Sequence, residues 1–248
     1  MLILKTKAEI EQMKVSSRIA AEVLKRIEKE IFPGITTGEL DRIAEAFIKE
    51  RGGQPSFKGY RGYPASICTS LNEEVVHGIP GLRKLQEGDL LKVDVGVFKE
   101  GFHGDVTETY AVGKISLEAE KIKEVTKKAL CAGIDRVIEG SRIGDISNAV
   151  QQYAEVNGFT VVRDFTGHGI GRNLHEDPQV TNFGKAGTGL RLKEGMVFCL
   201  EPMLNAGSAE VEILNDRWTV VTKDRKLSAH FEHTIAIVDG KAEVLSRL

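Results

Sequence analysis

The 248-residue sequence predicts an α+β fold in two pseudo-symmetric halves, with helices backing antiparallel strands. Three observations carry that expectation. Gly34, Gly38, Glu39 and Gly52 are matched by Gly140, Gly144, Asp145 and Gly158 at a constant offset. The apolar stripe Leu40, Ile43, Ala44, Phe47, Ile48 returns with the same spacing as Ile146, Ala149, Val150, Tyr153, Ala154. Each helix pair is followed by segments of alternating apolar and polar residues. Matched turn residues together with matched periodicity are what an internal duplication leaves behind. The chain therefore reads as a single domain, 1–248, with halves of about 1–115 and 116–248.

Thr6-Lys7-Ala8-Glu9 has the form of a capping box, in which Thr6 and Glu9 satisfy each other's backbone N–H groups. Ile10, Met13, Ala20, Leu24 and Ile27 then recur at helical spacing, giving a helix to about residue 30. Pro33-Gly34 ends it. Thr36-Thr37-Gly38-Glu39 opens a second helix, closed by Gly52-Gly53. Leu91, Val93, Val95 and Val97 alternate with Lys92, Asp94 and Gly96, so one strand face is apolar and the other carries Asp94. Phe102 to Val112 reads as its return strand across a turn at Lys99-Glu100-Gly101. In the second half a helix is expected near 118–139 and another from Ile146. Gly195 to Glu201 then echoes Gly88 to Asp94, placing Glu201 where Asp94 stands. Val211 to Leu214 and Trp218 to Thr222 form a hairpin around Asn215-Asp216, and Leu227 to Val238 is a last long strand carrying Glu232.

Composition narrows the function classes. Apolar residues make up 41% of the chain, enough for a sizeable core, and the formal net charge of −2 provides no cationic field for nucleic acid or an anionic membrane. Cys68, Cys131 and Cys199 are odd in number and widely spaced, which suits a reducing compartment, and Leu2-Ile3-Leu4 runs at once into charged residues rather than a signal-peptide core. A cytoplasmic protein without membrane segments is expected.

The chemistry-bearing residues cluster by type. Thr166-Gly167-His168-Gly169-Ile170-Gly171 and the nearby His175 put two imidazoles on a glycine-rich loop. The loop resembles a phosphate-binding turn only weakly, since no helix follows it. Each half supplies a His-Gly-Ile followed by two acids: His77-Gly78-Ile79 with Asp94 and Asp105, then His168-Gly169-Ile170 with Glu201 and Glu232. With Lys99 and Glu100 as a two-residue turn, Asp94 and Asp105 face each other. Opposed carboxylates repel, and a partly desolvated pair must take up a proton or a cation. Facing halves would bring four carboxylates and an imidazole together, a donor set suited to two divalent ions such as Mn²⁺, Co²⁺, Fe²⁺ or Zn²⁺. A solvated hairpin face is the competing reading of either acid pair alone.

These motifs resemble the type I methionine aminopeptidases, which share the pita-bread fold with prolidase, aminopeptidase P and creatinase. The resemblance spans essentially the whole chain, through Tyr60-Arg61-Gly62-Tyr63-Pro64, Asn72 to Pro80, Val93-Asp94-Val95-Gly96, Phe102-His103-Gly104-Asp105, Gly167 to Gly171, His175-Glu176-Asp177-Pro178, Glu201-Pro202-Met203 and Phe231-Glu232-His233-Thr234. It implies a pair of divalent metal ions bridged by Asp105 and Glu232, with Asp94 completing one position and His168 and Glu201 the other. Glu201 would also carry the proton in catalysis, and His77 and His175 would contact substrate. It further implies removal of the initiator methionine from nascent polypeptides, at the ribosome where those ends emerge, by a monomer. The intervals after His175 leave no room for the helical insert of type II relatives, and no prolidase-like N-terminal domain or zinc-finger extension is expected.

Three departures concern selectivity. Leu174 stands where Phe is common, Asp177 where Glu is frequent, and Phe57 where a small residue can occur. An apolar pocket for the methionine side chain would be lined by Tyr60, Tyr63, Cys68 and Trp218 with Phe57 and Leu174 at its edges, since a thioether packs well against aromatic rings. Each aromatic, taken singly, could equally be core. Two other functions compete: cleavage before proline, as in aminopeptidase P or prolidase, and a metal-free binding module on the same fold. The second would be expected to lack some of the ligands, and none is missing here.

Overall fold

The computed structural model describes residues 2–248. Among the described residues four α-helices back a long curled antiparallel sheet: α1 Lys7–Glu28, α2 Thr37–Glu50, α3 Leu117–Ile134 and α4 Ile143–Val156. Both expected capping boxes form. Thr6 accepts from Glu9 N–H and Thr36 from Glu39 N–H, while each glutamate accepts in return. At α4 only the reciprocal half is available, Asp145 accepting from Arg142 N–H at 2.8 Å. The matched glycines occupy like places: Gly34 (φ 107°) and Gly140 (φ 89°) donate to Leu85 and Leu192, and Gly38 and Gly144 to Gly81 and Thr188.

In chain order the strands are β1 Gln54–Pro55, β2 Cys68–Leu71, β3 Glu74–Val76, β4 Leu90–Lys99, β5 Phe102–Ala111, β6 Thr160–Val161, β7 Gly167–Gly169, β8 Glu176–Val180, β9 Val197–Leu200, β10 Met203–Asn205, β11 Val211–Ile213, β12 Val220–Thr222, β13 Ser228–His230, β14 Glu232–Val238 and β15 Lys241–Val244. The main sheet runs β1-β4-β5-β14-β9-β7-β8, with β2 on β4 and β15 on β14. Its seam is the short β5–β14 pairing, Thr107 against Glu232 and Val106 against His233. Thr234 reinforces the seam by accepting from Asp105 N–H and donating to Asp105 C=O. One core cluster packs α1 and α2 against β4, another packs α3 and α4 against β9 and β14. The buried Lys92 ammonium ties the halves further, donating to Asn72 and Ser228 carbonyls.

Three expectations are corrected. The β4–β5 turn is Glu100-Gly101, not Lys99-Glu100, so Asp94 pairs with Thr107 and Asp105 with Gly96. Both turn residues have positive φ, 54° and 86°, the geometry that matches strand twist, and Gly101 supplies it without a Cβ penalty. The two-residue slip preserves the faces, leaving the two acids diagonal neighbours. Second, α3 stops at Ile134, because the chain turns out of the helix to bridge Ile138 to Lys241 beside β15. Third, the last strand is broken at Phe231, which is buried; β13 joins β10, and β14 joins β5 and β9.

Candidate metal centre and substrate cavity

Every candidate ligand, catalytic and pocket residue named from the sequence, from Phe57 to Glu232, lines one cavity of about 390 Å³, whereas Asp177 does not. The floor comes from the middle of the main sheet. Asp94 on β4 and Asp105 on β5 project from the same face, and Glu232 opens β14 across the seam. Glu201 follows directly on β9, held in place by Asn182, which donates to its carbonyl at 3.0 Å. His168 lies on β7, whose glycines are required by close approach: a Cβ on Gly167 would stand 2.2 Å from the Cys199 carbonyl, and one on Gly169 2.1 Å from that of Asp177. The glycines thus serve strand packing, not a phosphate cradle.

The donor chemistry fits divalent metal ions. Asp105 and Glu232 are buried at 4% and 3% exposure, and Asp94 Oδ1 and Glu232 Oε1 are shut off from solvent without a hydrogen-bond partner among the described residues. Burial raises all four carboxyls above their usual range, Asp94 to about 7, and for Asp105, Glu201 and Glu232 the neighbouring carboxylates add to it. Burial pulls His168 down to about 4, keeping it neutral. Its Nδ1 donates to Gly169 C=O at 3.0 Å, leaving the Nε2 lone pair free, 3.6 Å from Glu201 Oε1. The tightest group of donor atoms, all within 4.8 Å of one another, comes from Asp105, His168, Glu232 and Cys199. Asp94 and Glu201 are not of that group but line the same cavity.

Around this floor the walls are aromatic. Asp41 on α2 accepts from the N–H groups of Ser66 and Ile67 at 2.8 and 3.0 Å, anchoring the loop that carries Phe57, Tyr60 and Tyr63. The Tyr63 hydroxyl lies 2.9 Å from the Gly78 carbonyl and its ring meets Trp218 edge-on at 5.0 Å. Trp218 is set at the hairpin tip by Asp216, which accepts from its N–H. His77 holds a left-handed backbone (φ 59°), uncommon for a residue with a Cβ, and its ring meets Phe165 at 5.6 Å. His175 sits exposed at the rim, Nδ1 2.9 Å from the Tyr60 hydroxyl and its ring 4.1 Å from that of His168. A buried ion pair between Lys5 and Glu176 braces the loop beneath it. Leu174 is buried beside this cluster.

Sequence reasoning missed His230, Phe165 and Met203, which line the same cavity. His230 is 2% exposed, with Nε2 unpartnered and 3.9 Å from Glu201 Oε2. Its position two residues before Glu232 on an alternating segment was the available signal; the strand break at Phe231 hid it.

The model of metallopeptidase family M24 matches residues 11–239. The chain belongs to that family. Within M24, the methionine aminopeptidase of Clostridium perfringens is 52% identical over 99% of both chains, and methionine aminopeptidase 1 of Bacillus subtilis 50% identical over 100% of both. The crystal structure of methionine aminopeptidase from Rickettsia prowazekii superposes with a TM-score of 0.98, at 41% identity over the whole of both chains. Prolidase from Pyrococcus furiosus shares the M24 fold at TM-score 0.80 and 22% identity, the chain covering 66% of it. The pita-bread architecture expected from the motifs is therefore that of this chain, and so is the metallopeptidase's use of divalent metal.

Proposed function

We propose that this M24 chain hydrolyses the peptide bond after an N-terminal methionine when the second residue is small, using two divalent ions held by Asp94, Asp105, His168, Glu201 and Glu232. The observation that carries the reading is the juxtaposition of buried, partner-less carboxylate oxygens with the aromatic side chains that line the same cavity. Four carboxylates in one desolvated cleft are tolerable when about two divalent charges neutralise them. The relatives named as methionine aminopeptidases, alike over their full length, support the substrate. The pseudo-repeat halves act as one catalytic unit, since the donors come from both.

When bound, the ions supply Lewis-acid polarisation of the scissile carbonyl and make an attacking water acidic. Glu201 takes the proton from that water and delivers it to the leaving amine. His175 at the rim and His77 at the wall donate hydrogen bonds to the carbonyl oxygen as charge develops and to the adjoining amide. The methionine side chain enters between Tyr63, Trp218, Phe165 and Cys68, where its sulfur meets ring edges. The second residue lies against His77 and the carboxylates. A bulky side chain there displaces the scissile carbonyl, and about 1 Å of displacement costs on the order of a hundredfold. Three free cysteines favour a reducing cytoplasm, and nascent chain ends at the ribosome are the natural substrate for a monomer of this kind.

A Met-X-peptide series run on metal-analysed protein tests the reading. Rates should fall steeply from X = Gly, Ala or Ser to X = Leu or Arg, with two ions per chain at full activity. Level rates across X overturn the crowding argument, and faster release from X-Pro leaders than from Met-Ala assigns the chain to proline-directed cleavage.

A further inference from the structure

Cys199 is used by none of the roles above, yet it stands in the metal centre. It lies on β9 directly across from Thr234 of β14, fully buried, with Sγ 3.8 Å from Thr234 Oγ1. Side chains two apart on a strand share a face, so Cys199 points to the same side as Glu201, and Thr234 to the same side as Glu232. The thiol therefore faces the same side of the sheet as both carboxylates. Its sulfur, a His168 ring nitrogen and one oxygen each from Asp105 and Glu232 lie within 4.8 Å of one another. Donors on opposite sides of an ion at about 2.3 Å are separated by about 4.6 Å, so the group is compact enough to surround one ion. The Cys199 thiol is in hydrogen-bonding reach of the Glu232 carboxyl, whose Oε1 is shut off from solvent, so the two donors face one point.

We propose that Cys199 is a sulfur donor to the ion on the His168 side, which makes that position a mixed oxygen, nitrogen and sulfur site selective for thiophilic ions such as Co²⁺, Zn²⁺ and Cd²⁺ over Mn²⁺ and Mg²⁺. This rests on the metallopeptidase reading of the same cleft. Thiolate sulfur favours borderline and soft ions, whereas carboxylate oxygen alone favours hard ones. As the metal–sulfur bond forms the thiol proton is released to solvent. The position thereby differs from a purely carboxylate and imidazole centre in which ion binds, not in whether the reaction runs.

Cobalt reports the two donor classes separately. Metal-free protein titrated with Co²⁺ should develop visible ligand-field bands, which record occupancy, and a near-ultraviolet sulfur-to-cobalt charge-transfer band, which records the thiolate. Cys199→Thr, with Cys199→Ala as a second variant should the first fold poorly, should keep the visible bands and lose the ultraviolet one; Cys68→Ala should keep both. Competition with Cd²⁺ should show affinity falling roughly tenfold or more in Cys199→Thr, with Mn²⁺ affinity unchanged. Visible bands without a charge-transfer band in the unmodified protein, or a charge-transfer band that survives Cys199→Thr, overturn the proposal while leaving the metal centre standing. Absence of the visible bands removes the metal centre and the sulfur ligand with it.

Discussion

His175 and His168 show how two imidazoles whose rings are 4.1 Å apart can hold different offices. His168 commits its Nδ1 to a backbone carbonyl and turns Nε2 toward Glu201, the arrangement of a metal ligand with a fixed tautomer. His175 instead shares its Nδ1 with the Tyr60 hydroxyl at the cavity mouth, where substrate passes. His175→Ala should lower kcat by about a hundredfold or more, as loss of an oxyanion-type donor does, while elemental analysis finds the metal content unchanged. Metal loss in proportion to activity would make His175 a ligand and reverse the assignment. His168→Ala should do the opposite and reduce metal occupancy first.

The β4–β5 hairpin decides whether two acids meet the ions at all. Its strands are buried on the helix side, so a one-residue slip of either strand against the other would turn one of Asp94 and Asp105 away from the cleft. The turn that sets the register uses Glu100 at φ 54°, a conformation that costs a residue with an ordinary side chain about 1 kcal/mol and that Asn tolerates better. Glu100→Asn should therefore raise the urea midpoint, by up to about 1 kcal/mol in unfolding free energy, with the slope unchanged. Gly101→Ala should lower stability by about the same amount or more, since φ there is 86°. A fall in stability for Glu100→Asn would mean that the turn does not limit this hairpin.

For the molecule as a whole, the metal centre makes stability depend on metal and on pH together. The four carboxyls have folded-state values raised by burial and by one another, Asp94 to about 7. In metal-free protein a raised carboxyl contributes stability that is complete below the ordinary range near pH 4 and is lost as pH rises through the folded value. Above about pH 6.5, where the buried histidines, lowered to about 3 to 4, are neutral in both states, metal-free protein should thus melt at progressively lower temperature up to about pH 8. Saturating divalent metal, which favours the ionised carboxylates, should remove or reverse that slope and add about 3 kcal/mol at a hundredfold excess over Kd. Exhaustive chelation should abolish turnover. Full activity in protein shown to be free of metal would eliminate the dinuclear mechanism, and a melting temperature that rises with pH above about 6.5 without metal would show that the acids are not desolvated together.

The sequence by itself determined the helices with their caps, the alternation that puts Asp94, Asp105 and Glu232 on polar strand faces, and the motifs that mark the family, because each is written in residues close together in the chain. Capping boxes and period-two alternation are local, and the glycine requirements follow from backbone sterics. Tertiary structure decided the rest. The register of β4 on β5 depended on which residues could take positive φ, and the end of α3 on a bridge to β15 more than a hundred residues later. The break at Phe231 followed from a side chain that had to enter the core while its neighbours joined different sheets. His230 reaches the cavity, and Cys199 comes beside Glu232, only because β13 and β9 are brought to β14 by the fold, and no spacing within either segment states which strands will be neighbours.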